Sequence, residues 1–328
     1  MEFGAQNVNE AYTTLVKAVK VGGWYENSRN GPVISIREPV TVRYGFPQEM
    51  VLFNPVRDCN PYFHLLGDAL WCLAGRDDHE WPTWFNSNYG NYASESGLIY
   101  GAYGHRWRKL SGFDQLTTIV RELRKDPQSR RVVLSMWNPV MDLGENEPDH
   151  PCNTTCYFRT VQGRLNLTVL NRSNDLIYGL AGANAVQFGC LLQYVAGAAG
   201  LPVGEYYQIT NNLHVYPEMV DFDNLSANAD YEPDPYMTEQ VKPFPLMSVD
   251  RVTWDKDLLK FFNEPLADAS RYSDPFFKVI ASPMYQSYWE RKSKVSDGKL
   301  ALQAMPADND WRLACEQWID RRENAKAS

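Results

Sequence analysis

The stretch NAVQFGCLLQYVAGAAG, residues 184–200, limits the fold of this chain more than any other feature of the sequence. It predicts a helix that is apolar on nearly every side, whereas a helix at the surface of a globular protein keeps a polar face. We therefore place this helix inside the core. With 328 residues, of which 44% are hydrophobic, the chain is long enough to enclose it in one large domain.

The segments around this helix follow helical and strand patterns in turn. Apolar residues recur at helical spacing in 9–22, 61–75 and 113–127, and Gly75 is placed to end the second of these helices. The sequence VQGR predicts a tight hairpin turn. Strands are predicted for the segments rich in β-branched and aromatic residues, at 129–137, 154–161, 164–173, 174–180 and 205–216.

This order of elements predicts a single α+β domain over residues 1–328, because no linker divides the chain. Residues 76–103 are rich in Asn, Gly, Ser and Tyr, which predicts a long, partly irregular segment over a cleft. An insert is predicted at 221–245, where Asp, Asn and Pro are frequent. A helical extension is predicted at 305–328.

Charge and cysteine usage narrow the functional class. The net charge of -8 argues against a general nucleic-acid surface, so an anionic ligand needs a local arginine cluster. We find no apolar run of the roughly 18 residues that cross a bilayer, and no secretory signal. The six scattered cysteines predict reduced thiols in a cytoplasm, and the five histidines show no metal-ligand spacing.

The segment DHPCNTTCYF places Cys152 directly after a proline, at the start of a predicted strand. A single cysteine is usually an apolar filler. The hairpin turning at Gln162-Gly163, however, brings positions 152 and 172 to the same end of two strands. Arg172 would then favour the Cys152 thiolate, which is the nucleophilic form of the side chain.

Several arginines have the character of a phosphate site. Arg29 lies in a turn, and Arg130 with Arg131 stands in tandem at a strand entrance. Side chains of adjacent strand residues point to opposite faces, so a shared role for the tandem pair requires a loop or a neighbouring subunit. Together with Arg172 and Ser173, these residues suit a phosphate monoester, which accepts charge-assisted bidentate hydrogen bonds.

Six motifs occur in the order and approximate spacing of the thymidylate synthase superfamily: YGHRWR, DPQSRR, PCN, NRSND, GLAGAN and NNLHVY. The resemblance covers about residues 29–216, and CNT with NRSND resembles the viral deoxypyrimidine hydroxymethylase branch. It implies a large mixed sheet with packed helices, one sheet face of which forms a homodimer interface. It also implies methylenetetrahydrofolate as co-substrate and no metal.

The resemblance implies a set of catalytic residues. Cys152 matches the nucleophile that adds to carbon 6 of the pyrimidine, and Arg172 matches its neighbouring arginine. Tyr103 matches a tyrosine that assists proton transfer. Asp175 matches an aspartate that meets the base or the folate. Asp68, in GDALW, falls where the family has a glutamate one methylene longer.

The substrate and folate residues follow in the same way. The nucleotide-binding set is Arg29, Arg130, Arg131, Ser173, Asn184, His214 and Tyr216, with the tandem arginines supplied by the partner subunit. Tyr89 and Asp175 are implied for the folate. Asn184 aligns with the asparagine that reads the pyrimidine edge when one residue is inserted in GLAGAN; without that insertion, Ala183 stands there.

Departures from the family pattern favour hydroxymethyl over methyl transfer. Asn153 replaces a histidine, Tyr89 and Tyr92 stand where methyl-forming enzymes carry two tryptophans, and ENAKAS lacks a short apolar tail. Each change predicts a wetter site, and water at the exocyclic methylene of the substrate gives a hydroxymethyl group. An asparagine amide at Asn184 fits uracil, so dUMP is favoured.

Four alternatives remain open from the sequence. Two are close: a dCMP hydroxymethylase, and a thymidylate synthase that makes dTMP. A third is a thiol hydrolase that uses Cys152 with a histidine and an asparagine. The fourth is a catalytically silent homologue that only binds nucleotide.

Overall fold

The computed structural model describes residues 1–144, 147, 149–230 and 233–327. In this part of the chain, two β-sheets pack with helices, which confirms the predicted α+β class and the large mixed sheet. The strands are β1 Glu2–Ala5, β2 Trp24–Ser28, β3 Gly31–Ser35, β4 Val40–Tyr44, β5 Val133–Ser135, β6 Asn153–Val161, β7 Arg164–Asn171, β8 Asn174–Asp175, β9 Val203–Thr210 and β10 Leu213–Val215.

The larger sheet has six strands in the order β1-β4-β9-β7-β6-β5. β1 with β4 and β7 with β9 are parallel pairs, whereas the other neighbours are antiparallel. The smaller sheet has the order β2-β3-β10-β8. Its β10 runs parallel to β8, so His214 lies opposite Asp175. Residues far apart in sequence thus meet where the two sheets adjoin.

Helices cover the larger sheet and fill the space between the elements. The α-helices are Val8–Gly22, Leu70–Leu73, Glu80–Phe85, Tyr103–Arg108, Gln115–Lys125, Pro139–Asp142, Ala185–Ala199, Phe222–Ala227, Arg251–Asn263, Ser282–Lys292, Lys299–Leu302 and Asp310–Ala327. Wider π-helical turns occur at Phe63–Ala69, Leu176–Asn184 and Phe277–Ala281, and 3-10 turns at Ser87–Tyr92 and Ala269–Arg271.

The apolar helix Ala185–Ala199 lies in the core, as its composition predicts. Nearly all of its side chains are buried, including Phe188, Leu192 and Tyr194. It ends at Gly200, whose φ of 76° is left-handed and therefore favours glycine. The span Leu176–Ala199 is long and apolar enough to cross a membrane, but 83% of its 18-residue apolar stretch is buried inside the protein, as in the core helix of a globular fold.

Local signals predict several boundaries correctly. Helices occur where 9–22, 61–75 and 113–127 predict them, and Gly75 adopts the left-handed φ of 68° that ends a helix. The hairpin turns at Gln162 and Gly163, both with positive φ. The predicted segment over the cleft, 76–103, includes two short helices.

Two strand predictions are wrong. Only Asn174–Asp175 of segment 174–180 is a strand, and the residues after it form the π-helical turn Leu176–Asn184. A short apolar run does not by itself distinguish a strand from a buried helix. Segment 205–216 is two strands rather than one, because the chain leaves the larger sheet after Thr210 and enters the smaller one at Leu213.

The predicted insert packs against the N-terminal helix. Its helix Phe222–Ala227 is followed by Asp230, which pairs with Lys17, and by Asp234, which accepts a hydrogen bond of 2.6 Å from Asn7 Nδ2. Tyr231 and Glu232 lie outside the described residues. In the C-terminal extension, Asp310–Ala327 is helical; Ser328 also lies outside the described residues.

Candidate active site

A cleft of about 720 Å³ opens where the two sheets adjoin. It is lined by ends of strands, by the turn between β2 and β3, and by the helix that begins at Tyr103. Nine of the residues named from the sequence line it: Arg29, Tyr103, Cys152, Arg172, Ser173, Asp175, Asn184, His214 and Tyr216. These side chains come from seven segments between residues 28 and 216, and only the fold brings them together.

Cys152 lies just before β6, and Arg172 just after β7. The antiparallel register sets Asn153 opposite Asn171, so the Arg172 N–H donates to the Cys152 carbonyl over 2.9 Å. The guanidinium is fixed by the backbone before the cysteine: its Nε donates to the Pro151 carbonyl over 3.0 Å. The hairpin therefore holds a cation beside the thiol, as the sequence predicts.

The pKa of Cys152 is raised, whereas the sequence predicts that Arg172 favours the thiolate. Burial raises the pKa of the Cys152 thiol above its usual 9.0, and this effect outweighs the opposing influence of Arg172 and Arg29. The carboxylates of Asp149 and Asp175 raise it further. In the chain without ligand, the thiol form is therefore favoured, and Arg172 reduces the cost of its ionisation rather than removing it.

Tyr103 is bonded directly to the backbone that carries the cysteine. Its hydroxyl accepts from the N–H groups of Cys152 and Asn153, each over 3.0 Å. Burial raises the pKa of Tyr103 well above its usual value, so the hydroxyl keeps its proton. Since the oxygen accepts twice from the chain, its own proton remains available to a ligand in the cleft.

Asp175 and His214 meet through the parallel pairing of β8 with β10. Asp175 Oδ1 accepts from the Tyr178 N–H over 2.5 Å, and Oδ2 is buried with no hydrogen-bond partner among the described residues. Burial raises the pKa of Asp175 and lowers that of His214, and the attraction between the two opposes both shifts. The unpartnered Oδ2 is a site where a ligand donor would be stabilised.

Asn184 lines the cleft at the end of an irregular helical segment. Leu176–Asn184 is a π-helical turn in which Gly182 has the non-helical angles φ -117° and ψ -107°. These angles interrupt the helix within GLAGAN, the motif in which the family alignment requires an inserted residue. The Asn184 amide donates to Asn174 Oδ1 over 3.1 Å, and Asn184, not Ala183, lines the cleft.

Four residues expected at the site lie outside the lining of this cleft. Asp68 is buried beside Cys72 and Gln187, and burial raises its pKa to about 7. Tyr89 packs on Phe63 and Trp71, whereas its neighbour Tyr92 lines the cleft. Arg130 and Arg131 are exposed elsewhere on the same chain, and Arg131 pairs with Glu122.

Several lining residues are missed by reasoning from the sequence. Trp137 lies under Arg172, with the guanidinium carbon 5.9 Å from the ring centroid. Asp149 and His150, within the DHPCN motif, line the cleft next to Cys152. Their adjacency to the candidate nucleophile is the signal that could have identified them.

Comparison with known proteins identifies the family. The thymidylate synthase family model matches residues 10–256, which is most of the chain. The chain belongs to the thymidylate synthase family. Enzymes of this family use methylenetetrahydrofolate as co-substrate. Among the described residues, no group of three His, Cys, Asp or Glu side chains is placed to hold a metal ion.

Three relatives show where the chain lies within the thymidylate synthase family. It is 40% identical to the deoxyuridylate hydroxymethyltransferase of Pseudomonas phage M6, over 98% of this chain and 94% of that protein. It is 33% identical to the deoxyuridylate hydroxymethyltransferase of Bacillus phage SP01, over 65% of this chain and 58% of that protein. Identity to the thymidylate synthase of Symbiobacterium thermophilum is 30%, over 63% of this chain and 76% of that protein.

Proposed function

We propose that this thymidylate synthase family member hydroxymethylates dUMP at carbon 5, through a transient bond between Cys152 and carbon 6 of the base. The observation that carries the proposal is the cleft itself: a cysteine, an arginine fixed beside it and the side chains that we propose to bind the nucleotide line one cavity. The similarity to deoxyuridylate hydroxymethyltransferase over nearly the whole chain supports the same activity.

The cleft residues suit a deoxynucleoside monophosphate. Arg29 and Arg172, with the Ser173 hydroxyl, offer charge-assisted donors to a phosphate. His214 and Tyr216, whose rings lie 5.0 Å apart, are proposed to bind the sugar hydroxyl. The Asn184 amide is proposed to donate to the 4-oxygen of uracil and to accept from its ring N–H.

A thiolate at Cys152 makes carbon 5 of the pyrimidine nucleophilic. Carbon 5 of uracil is unreactive, but addition of the thiolate to carbon 6 gives an enolate that can take up a one-carbon unit. Methylenetetrahydrofolate supplies that unit. Asp175 and Tyr89 are proposed to position the folate. Tyr103, with its uncommitted proton, and Asp68 are proposed to assist proton transfer.

The choice of product depends on water. After transfer, the substrate carries an exocyclic methylene, which becomes hydroxymethyl if water adds and methyl if a hydride adds. Tyr92, which stands where the methyl-forming pattern has a tryptophan, lines the cleft and is 47% exposed. Asn153, which stands in place of a histidine, also lines the cleft, and its amide oxygen accepts from Asn171. These residues support access of water.

We propose that the active unit is a homodimer, with Arg130 and Arg131 completing the phosphate site of the partner subunit. On β5 and β6, Val133, Tyr157 and Val161 are exposed on one face together with Arg159, whereas the alternate residues Leu134, Phe158 and Thr160 are buried. Three large apolar side chains exposed on one sheet face support burial of that face against a second copy. Because each site would then need both chains, the dimer would be obligate. The enzyme would act in a cytoplasm, that of the host if a phage encodes it.

The experiment is incubation with dUMP, dCMP or CMP plus methylenetetrahydrofolate, followed by mass measurement of the nucleotide. We expect dUMP to gain about 30 mass units, for CH2O, whereas a gain of about 14 would mean methyl transfer. The Cys152→Ala variant should bind dUMP but give no product. Product from dCMP alone, a methyl product, or tight binding without turnover would each replace the proposal by one of its alternatives.

A further inference from the structure

We propose that Asp149 is the general base that activates the water added to the exocyclic methylene, and so determines the hydroxymethyl product. This inference rests on the proposed function. It assigns a catalytic role to a residue three positions before the nucleophile that neither the family pattern nor the sequence motifs named.

The carboxylates near the cleft differ in the hydrogen-bond and ion-pair partners that already occupy their oxygens. Asp142 accepts two hydrogen bonds of 2.8 Å from Arg106 and one of 2.7 Å from the Asn138 N–H, so both oxygens are used. Asp175 also has an oxygen without a hydrogen-bond partner among the described residues, Oδ2, but His214 stands opposite it and partly offsets the rise in its pKa that burial causes, which makes it a weaker base. Asp68, at the position of the family glutamate, is shorter and does not line the cleft.

Asp149 is placed in the cleft with one oxygen available. Its Oδ2 accepts from the Gly101 N–H over 3.0 Å, and within the described part of the chain Oδ1 has no hydrogen-bond partner. The approach is close enough that a Cβ at position 101 would overlap the carboxylate and displace it. The Asp149 carboxyl is thus oriented by the backbone that leads into the Tyr103 helix.

The surroundings of Asp149 suit a base. The negative charge of Asp149 raises the pKa of Cys152, Tyr103 and Tyr92. Asp149 therefore lies near the groups that would surround the reacting carbon. Arg106 forms its ion pair with Asp142 instead, so the charges of Arg106, His150 and Arg172 only partly oppose the effect of burial on Asp149. Burial raises the pKa of its carboxyl above the usual 3.8, and a less stable carboxylate is a better proton acceptor.

The step balances without any further reactant. As a water oxygen bonds to the exocyclic methylene carbon, one O–H bond breaks and its proton goes to Asp149. The electron pair of the methylene double bond moves into the ring and becomes an enolate at the 4-oxygen. That enolate then restores the double bond between carbons 5 and 6 and expels the Cys152 thiolate, which takes up a proton.

The test uses the reverse direction, without folate. Wild-type enzyme given 5-hydroxymethyl-dUMP in oxygen-18 water should exchange the hydroxymethyl oxygen, because Cys152 addition and loss of water regenerate the methylene. Asp149→Asn should lose this exchange by at least about 100-fold, the scale of general acid–base catalysis. With dUMP and methylenetetrahydrofolate, it should still release the carbon 5 proton in one fast burst per site, since that step precedes water addition.

Two controls separate this role from a structural one. Glu95→Gln neutralises an exposed carboxylate outside the cleft and should exchange oxygen at the wild-type rate. Formate should partly restore exchange to Asp149→Ala, because a free carboxylate can enter the vacated space. Exchange in Asp149→Asn within about threefold of wild type, or loss of the burst together with exchange, would overturn the inference. A wild-type enzyme that neither exchanges oxygen nor hydroxymethylates dUMP would overturn the proposed function instead.

Discussion

Replacing Tyr103 by phenylalanine tests whether the hydroxyl both holds the nucleophile loop and moves a proton. The change removes one oxygen that accepts from the backbone N–H groups of Cys152 and Asn153, each over 3.0 Å. A neutral hydrogen bond contributes about 0.5–1.5 kcal/mol, so two predict a loss of about 1–3 kcal/mol in the free energy of unfolding. Loss of the proton donor predicts a fall in kcat of about 100-fold or more.

The assay for Tyr103→Phe is urea unfolding, in which the dependence of the unfolding free energy on urea concentration should equal that of the wild type. Steady-state kinetics then give kcat. Tyr25→Phe is the matched control, because Tyr25 is 69% exposed and lies outside the cleft lining. It should leave both stability and kcat at the wild-type values. If Tyr103→Phe has wild-type stability and a kcat within about threefold of wild type, the reasoning on this hydroxyl is refuted.

Three further predictions concern packing, pH and the shared site. Gly101→Ala should lower the free energy of unfolding by about 1–3 kcal/mol, because the new Cβ overlaps the Asp149 carboxylate. Gly22→Ala is the control, because no atom lies within 4 Å of its Cβ, and it should cause no such loss. Thermal unfolding compares the two variants. The pKa of Asp68, raised from 3.8 to about 7, means that the folded state holds a proton which the unfolded state has lost. Unfolding free energy should therefore fall as pH rises from about 4 to 7, and Asp68→Asn should lessen that fall in urea titrations; equal slopes would contradict it. Mixing equal amounts of the inactive variants Cys152→Ala and Arg131→Ala should restore about a quarter of wild-type activity, because half of the dimers are mixed and each mixed dimer has one complete site. No recovery after subunit exchange would contradict a site shared between subunits.

Local patterns predict those parts of the fold whose signals are contained in a few residues. The hairpin at Gln162 and Gly163 follows from turn chemistry, and the helix end at Gly75 follows from its left-handed backbone. The strand prediction over 174–180 fails because Leu176–Asn184 is a short apolar helical segment, and a short apolar run has no period that distinguishes a helix from a strand.

In the candidate site, too, local patterns predict some features, whereas others depend on the assembled fold. The neighbourhood of Cys152 and Arg172 follows from hairpin register alone. The burial of Asp68 outside the cleft lining does not follow from register, because it depends on how a π-helical turn orients the side chain. The burial that outweighs Arg172 at the thiol is likewise a property of the assembled cleft rather than of any motif.

The most direct test of covalent catalysis at Cys152 is to locate a trapped nucleotide. With 5-fluoro-dUMP and methylenetetrahydrofolate, the fluorine cannot leave carbon 5 as a proton would, so the adduct should remain on the enzyme. Peptide mass mapping should then find the nucleotide on the peptide that contains Cys152, and none on the Cys152→Ala variant. A nucleotide attached to any other residue, or no adduct on the wild-type protein, would contradict the account.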